Sequence, residues 1–425
     1  MKTLSKKQSI ELFAGFALLA LVLLLGITGV INGDTVFFRC LIGIGFGYAL
    51  TRGNFGFAGL SNNVCRTGSA KLIRGLMWTV VIASIFVGVV LIANGFKTAA
   101  NPTGLALWVK PISWGLLAGG ILFGIGMAFS SCCATGVLQD VPSGFTRSMV
   151  TLLFFGMGVF LGTPLWKTGF ASNSLFTSAS TSGVWFVDWF GTSDTVNGVV
   201  SAGAVVGAVL LTILIAVGIS FLSKWYEKKI AKNFPNKVEE VEEVATTTYE
   251  KMFVKKWSMG TTALIIAVLF FALIVLTNAG WGASTVHGNW FASLLHDLGV
   301  SGAAIDSFMG ANAGSYDYDV QYFQDAGSMQ NTGIILGAFI ALLLSGKFTE
   351  TFTGGLKVKP IELVLFAAGG LLMGFGTRLS WGCNVGAFFT PVAEFSLAGW
   401  IYFFILFGGG FLGNKIYKAF YKKIS

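Results

Sequence analysis

The chain has 425 residues, of which 54% are hydrophobic and only 11% are charged, and its formal net charge is +9. A mean hydropathy of +0.75, with runs of about 20 apolar residues along the whole length, excludes an ordinary soluble protein and predicts several membrane spans. The basic residues stand at loop ends and termini rather than on a patch with interleaved aromatic residues, so the predicted partner is the lipid bilayer and not nucleic acid.

Ten hydrophobic segments predict an all-α polytopic membrane protein. The first, with an apolar run from Ile10 to Ile31, is too long for a cleaved signal peptide and is interpreted as a retained span. The ten spans are expected at residues 9–32, 36–52, 72–95, 111–129, 148–165, 196–222, 258–279, 328–346, 361–379 and 395–414.

Basic residues predict how these spans are oriented. Lys and Arg occur in the N-terminal segment, in the connections 53–71, 130–147, 223–257 and 347–360, and at the C-terminus. The long connection 280–327 has acidic residues but no Lys or Arg. By the positive-inside rule, the basic connections and both termini are expected on the cytoplasmic side.

Two stretches of the chain are near copies of each other. Residues Gly119–Gly136 read GGILFGIGMAFSSCCATG, and residues Gly369–Gly386 read GGLLMGFGTRLSWGCNVG. In each copy an apolar span ends in a cluster of small polar residues, and another apolar span follows. A break of this kind leaves backbone groups without partners unless protein or a water-filled cavity lines it. Paired breaks in two halves of a chain are typical of the binding site of a transporter.

The order of the spans predicts an inverted repeat, because the first break falls near the inside and the second near the outside. We expect a first repeat in residues 1–222, a cytoplasmic linker in 223–257 and a second repeat in 258–425, with broken, partly re-entrant helices and a site near mid-membrane. Half-helices that begin near Pro142 and Pro391 would direct their positive dipole ends at the breaks. An anion is therefore the expected substrate.

Cys133 and Cys383 occupy equivalent positions in the two copies and are the first candidates for the substrate site. A thiol is a weak donor with a polarizable sulfur, so a small sulfur-containing anion suits it better than a hard cation or a sugar. Further hydrogen bonds are expected from the nearby polar residues Ser130, Ser380 and Asn384.

Arg378 is a candidate because an ionisable residue within a membrane span is a functional hypothesis by default. The alternatives are that it snorkels to the interface or pairs with Glu394. Arg52 and Cys65, in the polar segment after the second span, are candidates for an anion-friendly entrance, and a plain basic loop is the alternative.

The remaining polar residues give no sign of a cofactor or a metal site. His287 and His296 are interpreted as surface residues of the outer loop, since a metal site needs more ligands at defined spacing. The five cysteines form no CxxC pair, and no nucleotide-binding or hydrolase motif is present. No cofactor and no enzymatic activity are therefore predicted.

The two stretches that end in Cys133-Ala134-Thr135-Gly136 and Cys383-Asn384-Val385-Gly386, together with Arg52-Gly53-Asn54-Phe55-Gly56-Phe57, resemble the YeeE/YedE family of sulfur transport proteins. This family includes bacterial thiosulfate uptake transporters. The resemblance implies a permease of the bacterial cytoplasmic membrane whose cysteines, here Cys133 and Cys383, pass thiosulfate inward. Relatives commonly have an R-x-x-F-C-F pattern, and Gly56 stands at its cysteine position, so Cys65 is a candidate to replace that thiol.

The predicted function is uptake of thiosulfate or a related small sulfur-containing anion. One alternative is a membrane-embedded sulfur transferase that holds sulfur as a Cys persulfide and passes it to a cytosolic sulfur-carrier protein. Such a thiol needs positive charge nearby, which Arg378 or Arg147 would supply. The other alternative is a transporter of a selenium-containing or other small anion.

Overall fold

The computed structural model describes residues 6–31, 33–178, 180–191, 193–230, 247–316 and 321–424. Within these ranges ten helices are long and apolar enough to cross a membrane. They are Lys7–Ile27, Asp34–Gly53, Lys71–Asn94, Trp114–Gln139, Phe145–Leu165, Ala202–Lys229, Met259–Thr277, Ala326–Leu344, Pro360–Ala393 and Leu397–Phe420. Each overlaps one predicted span, so the all-α polytopic fold is confirmed.

The two interrupted spans and the loops contain shorter elements. In chain order the α-helices are α1 Lys6–Ile27, α2 Asp34–Gly53, α3 Gly59–Thr67, α4 Lys71–Asn94, α5 Trp114–Ser130, α6 Ala134–Gln139, α7 Phe145–Gly162, α8 Gly169–Ser172, α9 Val187–Phe190, α10 Ala202–Lys229, α11 Met259–Thr277, α12 Thr285–Asp297, α13 Gly302–Met309, α14 Ala326–Leu344, α15 Phe348–Gly354, α16 Pro360–Leu379, α17 Thr390–Ala393 and α18 Leu397–Ile424. A short antiparallel hairpin pairs β1, Ser193–Asp194, with β2, Val199–Val200.

Connections gather at two opposite ends of the helix bundle. The end that carries residues 54–70, 131–144, 247–258 and 345–359 is called the linker end below, and the end that carries 95–113, 163–201 and 278–316 is called the long-loop end. Hydrogen bonds join connections at the same end, as when the Tyr249 hydroxyl donates to the carbonyl oxygen of Leu344 at 2.7 Å.

Glycines bring the two copied stretches into close contact. A Cβ on Gly119 would lie 2.5 Å from the carbonyl oxygen of Gly376, and one on Gly376 would lie 2.7 Å from that of Gly119. Gly126 and Gly369 contact each other in the same reciprocal way. Because the early residue of one helix meets the late residue of the other, α5 and α16 run antiparallel. Small residues at such contacts let membrane helices approach closely.

The first residues of the predicted linker are helical. Helix α10 continues through Ser223 to Lys229, and a π-helical turn, Glu250–Val254, precedes α11. The central residues 231–246 of the expected linker lie outside the described residues. The boundaries of the two proposed repeats therefore remain a prediction.

Candidate functional site

Both copied stretches break immediately before their cysteine. Ser131 in the first copy and Trp381 in the second adopt left-handed backbone conformations, with φ of 57° and 61°. A new helix starts at the residue after each cysteine, α6 at Ala134 and a π-helical segment at Asn384. The Cys133 sulfur caps α6 by accepting the backbone N–H of Gly136 at 3.2 Å.

This geometry corrects the expected start of the half-helices. The prediction near Pro142 is wrong, because Pro142 lies in a turn and α7 begins at Phe145. Pro391 lies in the first turn of α17, but helical structure already begins at Asn384. In the first copy, the physical reason is that the Cys133 side chain accepts a hydrogen bond from the N-terminus of α6, so this helix begins at the thiol itself.

The two equivalent serines hold the breaks together. The Ser130 hydroxyl donates to the carbonyl oxygen of Gly126 at 2.9 Å, and the Ser380 hydroxyl donates to that of Gly376 at 2.8 Å. Each also lies within hydrogen-bonding distance of a carbonyl oxygen inside the break, at 3.2 Å and 3.0 Å. A hydroxyl has one proton to donate. Both serines donate theirs to backbone carbonyl oxygens, so neither hydroxyl proton is available to a bound anion.

The two thiols meet in the interior of the bundle. Cys133 is 0% exposed and Cys383 is 1% exposed, and the stretches that carry them are in contact through glycine pairs such as Gly119 and Gly376. Between the copies, the Asn384 amide donates to the Met127 sulfur at 3.2 Å. The buried Tyr402 hydroxyl is near both thiols and has no well-formed hydrogen bond to any described residue. The surroundings of the thiols therefore include a polarizable thioether and a buried hydroxyl.

Cys133 opens toward the linker end through a cavity of about 250 Å³. We call it the thiol cavity. Its lining is mainly small and polar, and it includes Asn54, Gly56, Asn63, Cys133, Asp140 and Arg147. Gly56, which the resemblance aligns with a cysteine of the family, would place a Cβ in open space. An anion in this cavity would contact a thiol, amides and a guanidinium.

Arg378 lies on the other side of Cys383, toward the long-loop end. It is 2% exposed and donates to the hydroxyls of Ser284 at 3.3 Å and Thr285 at 3.1 Å, so among the described residues it does not pair with Glu394. Its Nη1 has no hydrogen-bond partner within the described chain. Ser284 also lies near Cys383, so it stands between the guanidinium and the second thiol.

Trp108 covers the turn that follows Cys383. A Cβ on Gly386 would lie 3.4 Å from the Trp108 ring, and the Trp108 backbone N–H donates to the Glu394 carboxylate. The Lys110 ammonium lies 4.6 Å from the centre of the same ring. A cation held over an aromatic ring thus stands at the long-loop side of the second thiol.

Two candidates are not brought to the thiols. Arg52 donates to the carbonyl oxygens of Met252 at 3.3 Å and Lys255 at 2.5 Å, so it attaches the segment before α11 to the bundle. Cys65 lies in α3, where its carbonyl oxygen accepts from Lys418 at 3.2 Å. Neither residue lines the thiol cavity.

The surface interpretation of His287 is wrong. Its side chain is 1% exposed and packs edge-on against Phe155, with ring centres 4.8 Å apart. Burial lowers the pKa of His287 to about 4, so the ring is neutral at pH 7. The reason is that α12 folds back against α7, which a loop sequence does not reveal. His296 lies on the same helix and is half-buried.

Sequence reasoning missed three residues beside the thiols. Lys110 had a signal, since it is a lone cation directly before Pro111 and an apolar run. Trp108 and Tyr402 had none, because single aromatic residues are common in apolar segments.

Comparison with known proteins identifies related sequences. The family described as sulphur transport matches residues 52–412, which include both breaks. Thiosulfate transporter TsuA of Spirochaeta thermophila is 27% identical over 376 residues, or 86% of this chain and 94% of that protein. Thiosulfate transporter TsuA of Escherichia coli is 25% identical over 357 residues, or 84% of this chain and 87% of that protein. Probable transporter YedE of Salmonella typhimurium is 25% identical over 163 residues, or 38% of each chain.

Proposed function

Since the chain belongs to the sulphur transport family, we propose that it takes up thiosulfate or a related small sulfur-containing anion. It is a multi-pass membrane protein, and its family and relatives are transporters rather than enzymes. The observation that carries the proposal is the reciprocal contact of the two cysteine-bearing stretches inside the bundle. A soft anion that leaves water there exchanges its hydration for contacts with thiols, which suit sulfur better than they suit sulfate oxygens.

The proposed path runs from the long-loop end to the linker end. Lys110 and Arg378 attract the anion, Cys383 and Cys133 receive it in turn, and the thiol cavity releases it. Asn384 contributes its side-chain amide, which donates to the Met127 sulfur between the two copies. Ser130 and Ser380 support the two breaks. Arg52 and Cys65 have no place in this path, because neither lines the thiol cavity and Arg52 donates to the segment before α11.

We further propose that the two halves are inverted repeats, residues 1–222 and 258–425, joined by the linker 223–257. The antiparallel, reciprocal contact of α5 with α16 supports this arrangement. The basic connections favour a cytoplasmic location for the linker end and both termini, with the protein in the cytoplasmic membrane of a bacterium. Transport from the long-loop end to the linker end is then uptake.

Uptake into vesicles tests the function. Purified protein in proteoliposomes is expected to accumulate ³⁵S-labelled thiosulfate, and unlabelled thiosulfate is expected to compete. Sulfate of equal charge should not compete, because it has no soft terminal sulfur. Preferential competition by a selenium-containing anion would change the assigned substrate, and absence of uptake of any of these anions would contradict the proposal.

A cysteine at position 56 should add a third thiol to the path. Gly56→Cys is expected to fold normally, because its Cβ would meet no atom within 4 Å. The new thiol faces the thiol cavity, so the KM for thiosulfate should fall by about three-fold, within the range of one weak hydrogen bond. Gly59→Cys is the matched control, since it lines the same cavity but its Cβ would lie 2.7 Å from Leu72. A Gly56→Cys thiol that reagents cannot reach from the linker end would contradict the proposed lining.

The affinity for the anion should depend on the charge of Lys110. Burial lowers the pKa of Lys110 to about 8. This value includes an opposing effect of Glu394, which raises the pKa, and a smaller effect of Arg378, which lowers it. The charged form is present below this pH and is lost as the pH rises through it. The KM for thiosulfate should therefore rise about five-fold between pH 7 and pH 9, in line with loss of one nearby charge.

Lys110→Arg should remove this rise, because arginine stays charged throughout the range. Lys167→Ala is the control, since Lys167 is an exposed lysine at the same end. An unchanged pH profile in Lys110→Arg would assign the titration to another group.

A further inference from the structure

Arg147 stands between two cavities at the linker end. One is the thiol cavity, which reaches Cys133. The other is an open basin of about 700 Å³ between the start of α7 and the segment from α15 to α16. Arg147 lines both of them. Its guanidinium is thus the group that an anion would meet on passing from one cavity to the other.

The guanidinium is paired on the side of the thiol cavity. Its Nη2 lies 2.6 Å from the Asp140 carboxylate, and the two side chains are 30% and 23% exposed. Asp140 lines the thiol cavity but not the basin. The Arg147 Nε is buried without a hydrogen-bond partner among the residues that the structure describes. A guanidinium has five donors in a planar fork, so this pair leaves donors available to a second acceptor.

The charged groups around the junction are balanced on both of its sides. On the thiol-cavity side, Asp140 cancels the charge of Arg147, so the resting junction does not hold an anion strongly. The basin side adds the cations Lys347 and Lys357 together with the acids Glu350 and Glu362. A dianion that reaches the junction competes with one carboxylate for the same fork, which is the geometry that arginine binds best.

We propose that Arg147 is the exit-side anion-binding residue and that Asp140 is its internal competitor. This inference rests on the proposed function. The departing anion displaces the Asp140 carboxylate from the guanidinium, and Asp140 takes its place again when the anion enters the basin. Without Asp140 the anion would remain bound, and without Arg147 the carboxylate would repel it.

Charged thiol reagents measure this junction without requiring transport. In a background with Cys40, Cys65, Cys132 and Cys383 replaced by Ala, Cys133 is labelled from the linker end with a sulfonate-bearing and an ammonium-bearing methanethiosulfonate. Asp140→Asn, which keeps the side-chain shape, should raise the ratio of anionic to cationic labelling rates by about ten-fold, since it removes one charge from a partly buried site. Arg147→Gln should lower this ratio by a similar factor.

Uptake kinetics give the second measurement. Asp140→Asn should lower both KM and the maximal rate for thiosulfate, because release becomes slow. Arg147→Lys should keep the labelling ratio but lose maximal rate, since an ammonium lacks the planar fork. If the ion pair only holds α6 against α7, all variants should have a changed melting temperature and an unchanged labelling ratio. That result would overturn the inference. If thiosulfate is not the substrate, the labelling ratio should still change, so the two failures are distinguishable.

Discussion

Replacing Cys133 or Cys383 by Ala is expected to lower thiosulfate uptake by about 10- to 100-fold, because each loses a hydrogen bond to a charged substrate at the narrowest part of the proposed path. Both thiols are essentially unexposed, so water does not replace the missing donor. Cys133→Ala also removes the cap of α6, which accepts the Gly136 N–H. The measurement is the initial rate of labelled thiosulfate uptake in proteoliposomes.

Serine variants separate binding from sulfur chemistry. Serine is a good helix cap and a hydrogen-bond donor, so Cys133→Ser should keep more uptake than Cys133→Ala. A persulfide mechanism requires the sulfur atom, and the serine and alanine variants would then be equally inactive. Such a result, with a persulfide seen on Cys133 by mass spectrometry, would favour a sulfur transferase that serves a cytosolic sulfur carrier.

Cys40 supplies the control for these substitutions. It is 0% exposed but lies in α2, packed against α14 and away from the thiol cavity. Cys40→Ala should leave uptake within about two-fold of the unmodified protein, since it removes one small buried group. Full uptake in both Cys133→Ala and Cys383→Ala would contradict the proposed path.

Alanine at Gly124 or Gly374 should destabilise the bundle by about 1 to 3 kcal/mol or more, because an added methyl group must push two backbones apart. A Cβ on Gly124 would lie 2.5 Å from the backbone nitrogen of Gly410, and one on Gly374 would lie 2.7 Å from that of Val159. Backbone atoms cannot rotate away as a flexible side chain can. The expected result is a lower melting temperature in detergent and a smaller folded fraction on size-exclusion chromatography.

Gly408→Ala is the matched control for this prediction. Gly408 also lies in a long helix, α18, but a Cβ there would meet no atom within 4 Å. Alanine is the better helix former by about 1 kcal/mol in water, so this variant should be at least as stable as the unmodified protein. Equal melting temperatures for Gly124→Ala and Gly408→Ala would contradict the close packing of α5 with α18. Similar losses at Gly124 and Gly374 follow from the proposed repeat, in which the two positions are equivalent.

The sequence by itself determined the ten spans, the two breaks and the equivalent positions of Cys133 and Cys383 in the two copies. These are local properties, because the cost of moving a segment from water into lipid depends on its own side chains. The similarity of the two copied stretches also predicted where the helices would break. The serines and cysteines at the breaks were therefore recognisable before any contact was known.

Only the tertiary structure decided which other polar residues lie near the thiols. Arg52 had the right chemistry but donates to the segment before α11, and Cys65 lies in α3 outside the thiol cavity. Lys110 and Trp108, in contrast, reach the turn after Cys383 from a distant loop. His287 became buried because α12 folds back on the bundle. The physical reason is that hydropathy reports transfer into the membrane, while contacts between helices depend on the packing of the whole bundle.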